Sequence, residues 1–157
     1  SNAAEARPRL VSDALSAASK EKSREFARLF FGERLPQIRP GGRGCDVLRE
    51  LLASCRDEGV PAAVLVMPEG PVFRSWYPPG TLPEVRAWLG RVSHEEGADF
   101  IDAEEWIGEE DFADSHHLLA RGAVRFTDRL GREYLAPRLN GPSSEVRPNE
   151  RAFSLNR

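Results

Sequence analysis

Six consecutive apolar residues, Ala62-Ala63-Val64-Leu65-Val66-Met67, stand between Pro61 and Pro68 and constrain the fold more than any other stretch of the chain. The run is too short for a stable helix, and its continuous apolar character fits a strand buried on both faces. Such strands belong to parallel sheets, whose neighbours are reached through helical crossovers. Helical patterns flank the run accordingly. Before it, Val47, Leu48, Leu51, Leu52 and Cys55 recur at helical spacing over residues 46–57, with Gly59 as the stop. After it, Val85, Trp88, Leu89 and Val92 mark a helix over residues 82–96, with Pro83 in its first turn and Gly97 after its end. Asp99-Phe100-Ile101-Asp102 reads as a second short strand.

Punctuation by proline and glycine divides the rest of the chain. Residues 4–40 form an N-terminal helical segment that turns amphipathic at Phe26, Leu29, Phe30 and Phe31, a stripe expected to be core or interface. Pro36, Pro40, Gly41, Gly42 and Gly44 separate it from the helix over residues 46–57. Residues 69–80 read as an irregular loop carrying Phe73, Trp76 and Tyr77. The acidic run 104–111 reads as a solvated face. A last helix is expected from residues 117–119 to 135 or 139, with Leu118, Leu119, Ala123, Phe126, Leu130 and Tyr134 on its apolar side. Ser1-Asn2-Ala3 has the look of a cleaved tag, residues 41–139 carry the α/β domain portion, and residues 140–157 form a tail without periodicity.

Helix–strand–helix–strand–helix implies an α/β fold with a parallel sheet. Two strands are too few for a sheet flanked by that many helices. The missing strands are expected from the N-terminal segment, from sequence upstream, or from a second copy in a homodimer.

Composition narrows the function. A net charge of −3 with both signs interspersed argues against a nucleic-acid surface. Lysine occurs only at Lys20 and Lys22, so a lysine-based phosphate site elsewhere is excluded. No run reaches the roughly 20 apolar residues of a membrane-spanning helix. Cys45 and Cys55 are ten residues apart on one expected helix, so roughly 15 Å separates them, too far for a disulfide.

Chemistry concentrates in Asp111-Phe112-Ala113-Asp114-Ser115-His116-His117-Leu118-Leu119. An aspartate three residues before a histidine suits a pair in which a carboxylate orients an imidazole that moves protons. Asp114 could equally cap the last helix, and Asp111, Asp114, His116 and His117 offer metal-ligand types that at this spacing converge poorly on one ion. Ser115 lies wedged between base and orienter, badly placed for attack. Cys45, opening a helix after a glycine-rich turn, is the other nucleophile to weigh.

In this order, the helix, the strand ending at Pro68, the helix ending in Glu95-Glu96-Gly97, the strand 99–102 and Asp114-Ser115-His116-His117 with Gly122-Ala123 behind it resemble the second half of an SGNH (GDSL-like) hydrolase or acyltransferase. The resemblance covers residues 46–137. It implies an αβα-layered parallel sheet of flavodoxin-like type. It implies that His117 is a general base oriented by Asp114, and that the substrate is a small-molecule or carbohydrate ester, with no cofactor. His116, Trp76 and Tyr77 are then the substrate-binding candidates. The Gly-Asp-Ser nucleophile block and the oxyanion-donating blocks of that family do not occur in this sequence. The expectation is therefore a base-bearing portion of such a domain, or a non-catalytic binding module on the same scaffold.

Overall fold

A computed structural model describes residues 15–140. Helix α1 spans Ala17–Phe31, and Ser16 caps it by accepting the Ser19 amide. A 3₁₀ turn at Leu35–Gln37 leads to α2, Gly42–Asp57. Strand β1 is Ala63–Val66, α3 is Pro71–Arg74, α4 is Thr81–Glu95 and β2 is Asp99–Asp102. A 3₁₀ turn at Glu109–Asp111 precedes α5, Ala120–Leu130, which continues through a π-helical turn, Gly131–Leu135, into α6, Ala136–Asn140.

The strands pair in parallel, Ala63 opposite Asp99 and Val66 opposite Asp102, with α4 as the crossover. Side chains alternate across the sheet. Phe100 lies against Gly90 of α4, and Asp102 is 3.7 Å from Arg86 of the same helix. On the other face Asp99 accepts hydrogen bonds from Tyr134 at 2.7 Å and from Arg138 at 2.8 Å. Leu65 there packs on the central cluster of Ala103, Ile107, Phe112 and Phe126. The described residues thus form an α/β structure with a two-stranded parallel sheet.

Several expectations change. No strand arises from the described part of the N-terminal segment, which is helical up to Phe31. β1 is half-buried rather than enclosed, and Ala63 is exposed, because a sheet of two strands has too little width for helices to cover both its faces and edges. The shortage of sheet shows in α2 too. Only Leu52 of its stripe is buried, whereas Val47 and Leu51 are more than half exposed. Charge fixes α2 instead: Glu96, 8% exposed, sits between Arg49 at 3.3 Å and Arg56, and Arg49 also reaches Glu95 at 2.6 Å. In α1, Ala27 is buried and Phe31 turns inward, but Phe26, Leu29 and Phe30 face solvent.

The loop 69–80 contains α3, which Pro71 starts by presetting its first turn. The last helix begins at Ala120, not at 117–119, because Leu118 is taken by an antiparallel bridge to Phe112. Its π-helical turn precedes Pro137, which has no amide to give and whose ring crowds the carbonyl four residues back. The wider turn relieves that crowding, with the Ala136 amide bonded to the Gly131 carbonyl.

The acidic run is not simply a solvated face. Glu104 is 3% exposed and pairs with Arg86 at 2.8 Å and Arg74 at 3.6 Å. Asp111 is 1% exposed and holds Arg121 at 2.6 Å and also Arg125, locking the 3₁₀ turn onto α5. Gly122 makes that approach possible, since a Cβ there would lie 2.6 Å from the Asp111 carbonyl oxygen.

Candidate functional site

The connection from β2 to α5 turns back on itself at residues 113–117. Phe112 and Leu118 pair across it, and the Ala113 amide donates to the His117 carbonyl at 2.8 Å. Ser115 is at the tip with φ +70°, a left-handed backbone that serine adopts only when held there. It is held firmly. Its hydroxyl donates to Glu109 Oε2 at 2.8 Å and accepts the Phe73 amide at 2.9 Å, and its carbonyl accepts the Gly70 amide at 2.7 Å. Gly70 lies shortly after β1, so these bonds seat the turn at the carboxyl end of the sheet. Gly70 must lack a side chain, because a Cβ would run into the Ser115 hydroxyl and Glu109. Glu109 is itself paired with Arg24 of α1 at 2.9 Å.

On this platform Asp114 and His117 meet. His117 Nδ1 lies 2.8 Å from Asp114 Oδ2, while Asp114 Oδ1 accepts the amides of His117 at 2.7 Å and His116 at 3.0 Å. Orienting a ring and capping a turn, posed as alternatives by the sequence, are performed together by the two oxygens. Burial raises the Asp114 pKa, but the bonds from the His117 ring and from the two amides outweigh it and hold the carboxyl below its usual range. The ring of His117 is 70% exposed. Among the described residues no hydroxyl or thiol is hydrogen-bonded to it.

His116 points the other way. Its ring stacks on Phe73 at 4.5 Å and meets the edges of Phe31 at 5.0 Å and His117 at 4.8 Å. Its Nδ1 is buried without a partner. It is thus part of an aromatic base under the pair. Burial lowers its pKa, the nearby His117 lowers it further, and Asp114 opposes both. In the unfolded chain, where histidine titrates near about 6.5, residue 116 takes up a proton that the folded site resists. Stability is therefore complete above about pH 6.5 and declines as pH falls toward the lowered folded value. Denaturant midpoints of wild type and His116→Phe between about pH 7 and 5 check this: the variant flattens the decline, and an unchanged slope would assign it to other groups.

Trp76 packs on Phe73 at 5.1 Å under the Arg28 guanidinium, and Tyr77 meets the same ring at 5.9 Å while donating its hydroxyl to Glu69 Oε1 at 3.0 Å. Phe73 itself is 1% exposed. Asp111 stands apart from the pair because it is committed to Arg121 and Arg125. Among the described residues no group of three His, Cys, Asp or Glu side chains gathers as a metal site does. Cys45 accepts the Gly41 amide at 3.0 Å within the first turn of α2, and no bond joins it to His117. Cys45 and Cys55 are free thiols. No helix among the described residues is long and apolar enough to cross a membrane.

Glu109, Ser115, Phe73 and Gly70 were not legible as site residues, because their roles arise from contacts between residues 6 to 45 positions apart. The chain segment that carries both sides of the site, from α2 to the start of α6, coincides with a family match: a family model of uncharacterised function covers residues 43–136, more than half of the chain. The chain belongs to this family. No curated protein and no solved structure matches it. Within the family region lie β1, β2, α3 and the turn bearing Asp114 and His117, whereas α1 and its Phe31 lie outside it.

Proposed function

We propose that Asp114 and His117 are the proton-relay half of an SGNH-type esterase or O-acyltransferase site, on an αβα-layered parallel sheet, acting on a small-molecule or carbohydrate ester. One observation carries the reading: the contact of 2.8 Å between His117 Nδ1 and Asp114 Oδ2. It fixes the proton on Nδ1 and leaves Nε2 as the basic nitrogen on a ring open to solvent. Asp114 is in turn held by two amides, so the orienter is itself oriented.

In the reaction, Nε2 takes a hydroxyl proton as that oxygen attacks the ester carbonyl carbon. The imidazolium, stabilised by Asp114, returns the proton to the departing alkoxide as the carbonyl reforms. Ser115 does not supply the hydroxyl, since its oxygen is buried between Glu109 and the Phe73 amide. The nucleophile and the oxyanion donors are then supplied from outside this sequence, which lacks the blocks that carry them in that family. A second reading, a non-catalytic binding module, draws support from Phe26, Leu29 and Phe30, which expose an apolar strip on α1.

Assaying the full-length protein on an acetylated sugar and on an activated acetate ester separates the two. The relay predicts a fall on the order of 10⁴-fold in kcat for His117→Ala. Turnover unaffected by that change would sink the relay. Equal inactivity of wild type and variant would favour the binding module.

A further inference from the structure

We propose that the cavity at the carboxyl end of β1, bounded by Glu69, Tyr77, Val66, Met67 and Val85, is a binding site for a small aliphatic ammonium ion. The cavity encloses about 160 Å³ on the α4 side of the sheet, away from His117. Its walls are aliphatic: Ile38 from the segment after α1, Val66 and Met67 from the end of β1, Leu82 and Val85 from α4. Ile38 and Met67 are both about half exposed and form its mouth. At roughly 30 Å³ per water-sized group, that space holds a ligand of about five non-hydrogen atoms.

Charge decides the ligand class. Three ionisable side chains besides Tyr77 line the cavity: Glu69, Arg86 and Glu104. Arg86 is spent on Glu104 at 2.8 Å and Asp102 at 3.7 Å, and Glu104 has Arg74 at 3.6 Å as a second cation. Among the described residues no cation forms an ion pair with Glu69. Its one side-chain bond among them is from the neutral Tyr77 hydroxyl, and its Oε2 is buried without a partner there. Burial raises the Glu69 pKa and Glu104 raises it further, against the Tyr77 bond and the more distant charge of Arg74. An ammonium group beside Glu69 supplies the missing counter-charge, the face of Tyr77 adds a cation–π wall, and the alkyl body fills the aliphatic end. An anionic ligand would instead meet two carboxylates and one guanidinium already in use. Because the ligand pairs with ionised Glu69, binding strengthens as pH rises through the raised Glu69 value.

Methyl-resolved NMR titration of the full-length protein at pH 7.5 tests the assignment, using n-butylammonium chloride, n-butanol and sodium butyrate as probes. The expected result is saturable shifts at Ile38, Val66, Met67 and Val85. n-Butylammonium should bind at least about ten-fold tighter than n-butanol, the ratio that one charge-assisted hydrogen bond supplies, and sodium butyrate weakest. Glu69→Gln removes that preference, whereas Tyr77→Phe, which keeps the ring and frees Glu69, retains it. Equal affinity for n-butanol would make the cavity merely apolar, and a preference for butyrate would make Arg86 the anchor. Either overturns the proposal, as does the absence of saturable shifts. The ranking of the three probes on wild type decides the matter even if Glu69→Gln fails to fold.

Discussion

Replacing Asp111 by alanine destabilises the protein by about 3 kcal/mol. Asp111 is 1% exposed, and its two oxygens serve Arg121 and Arg125. Removing one partner of a buried pair commonly costs about 3–5 kcal/mol, because the remaining charge is left without compensation. Arg121 and Arg125 are 39% and 62% exposed and can turn to water, which places this case at the lower end of that range. The loss also unfastens the turn from α5, since the Asp111 carbonyl accepts the Leu119 amide at 2.8 Å and presses on Gly122. Urea unfolding at pH 7 reads the effect as a lower midpoint at unchanged slope. A shift worth less than about 1 kcal/mol would show that the pair contributes no more than a surface ion pair.

The second large effect is on chemistry and not on stability. On the proposed relay, Asp114→Asn lowers ester turnover by about 10⁴-fold while changing the unfolding midpoint little. Asparagine keeps an oxygen that accepts the amides of His116 and His117, so the cap survives. Its NH₂ group, however, faces Nδ1 as a donor, which drives the ring proton to Nε2 and abolishes the base. Asp114→Ala removes cap and orienter alike and lowers both readouts. If Asp114→Ala lowers the unfolding midpoint, Asp114→Asn leaves it in place and both leave turnover intact, Asp114 is a cap only.

Both effects concern one nine-residue stretch, and the sequence separated its members unequally. Asp114 and His117 were legible because they are three residues apart, a spacing that a single turn can bring together. Asp111 gave no such signal. Its partners are 10 and 14 positions downstream, and a lone acid in an acidic run resembles any solvated residue. Ser115 was legible only as a poor nucleophile. Its work as the pin between Glu109, Gly70 and Phe73 depends on a positive φ and on chain brought in from 42 residues away. Tyr77 and Trp76 both pack on Phe73, and Tyr77 also reaches Glu69, contacts that the sequence offered no means of choosing.

Local pattern, then, determined the elements and their order: helical spacing in α2 and α4, a continuous apolar run in β1, the short segment Asp99–Asp102 as β2, and the parallel pairing that a helical crossover requires. It put Asp114 and His117 three residues apart and so within reach of each other, while the turn on which they meet is pinned through Ser115 to Gly70, Phe73 and Glu109. Tertiary structure decided what is buried and what each charge answers to. Which apolar stripes are covered depends on how much sheet lies beneath them, and two strands leave Val47, Leu51, Phe26 and Leu29 outside. Which acids are buried depends on arginines delivered by distant helices, as Glu104 and Asp111 show. Burial and ion pairing are sums over the whole surroundings of a group, and those surroundings exist only once the chain has folded.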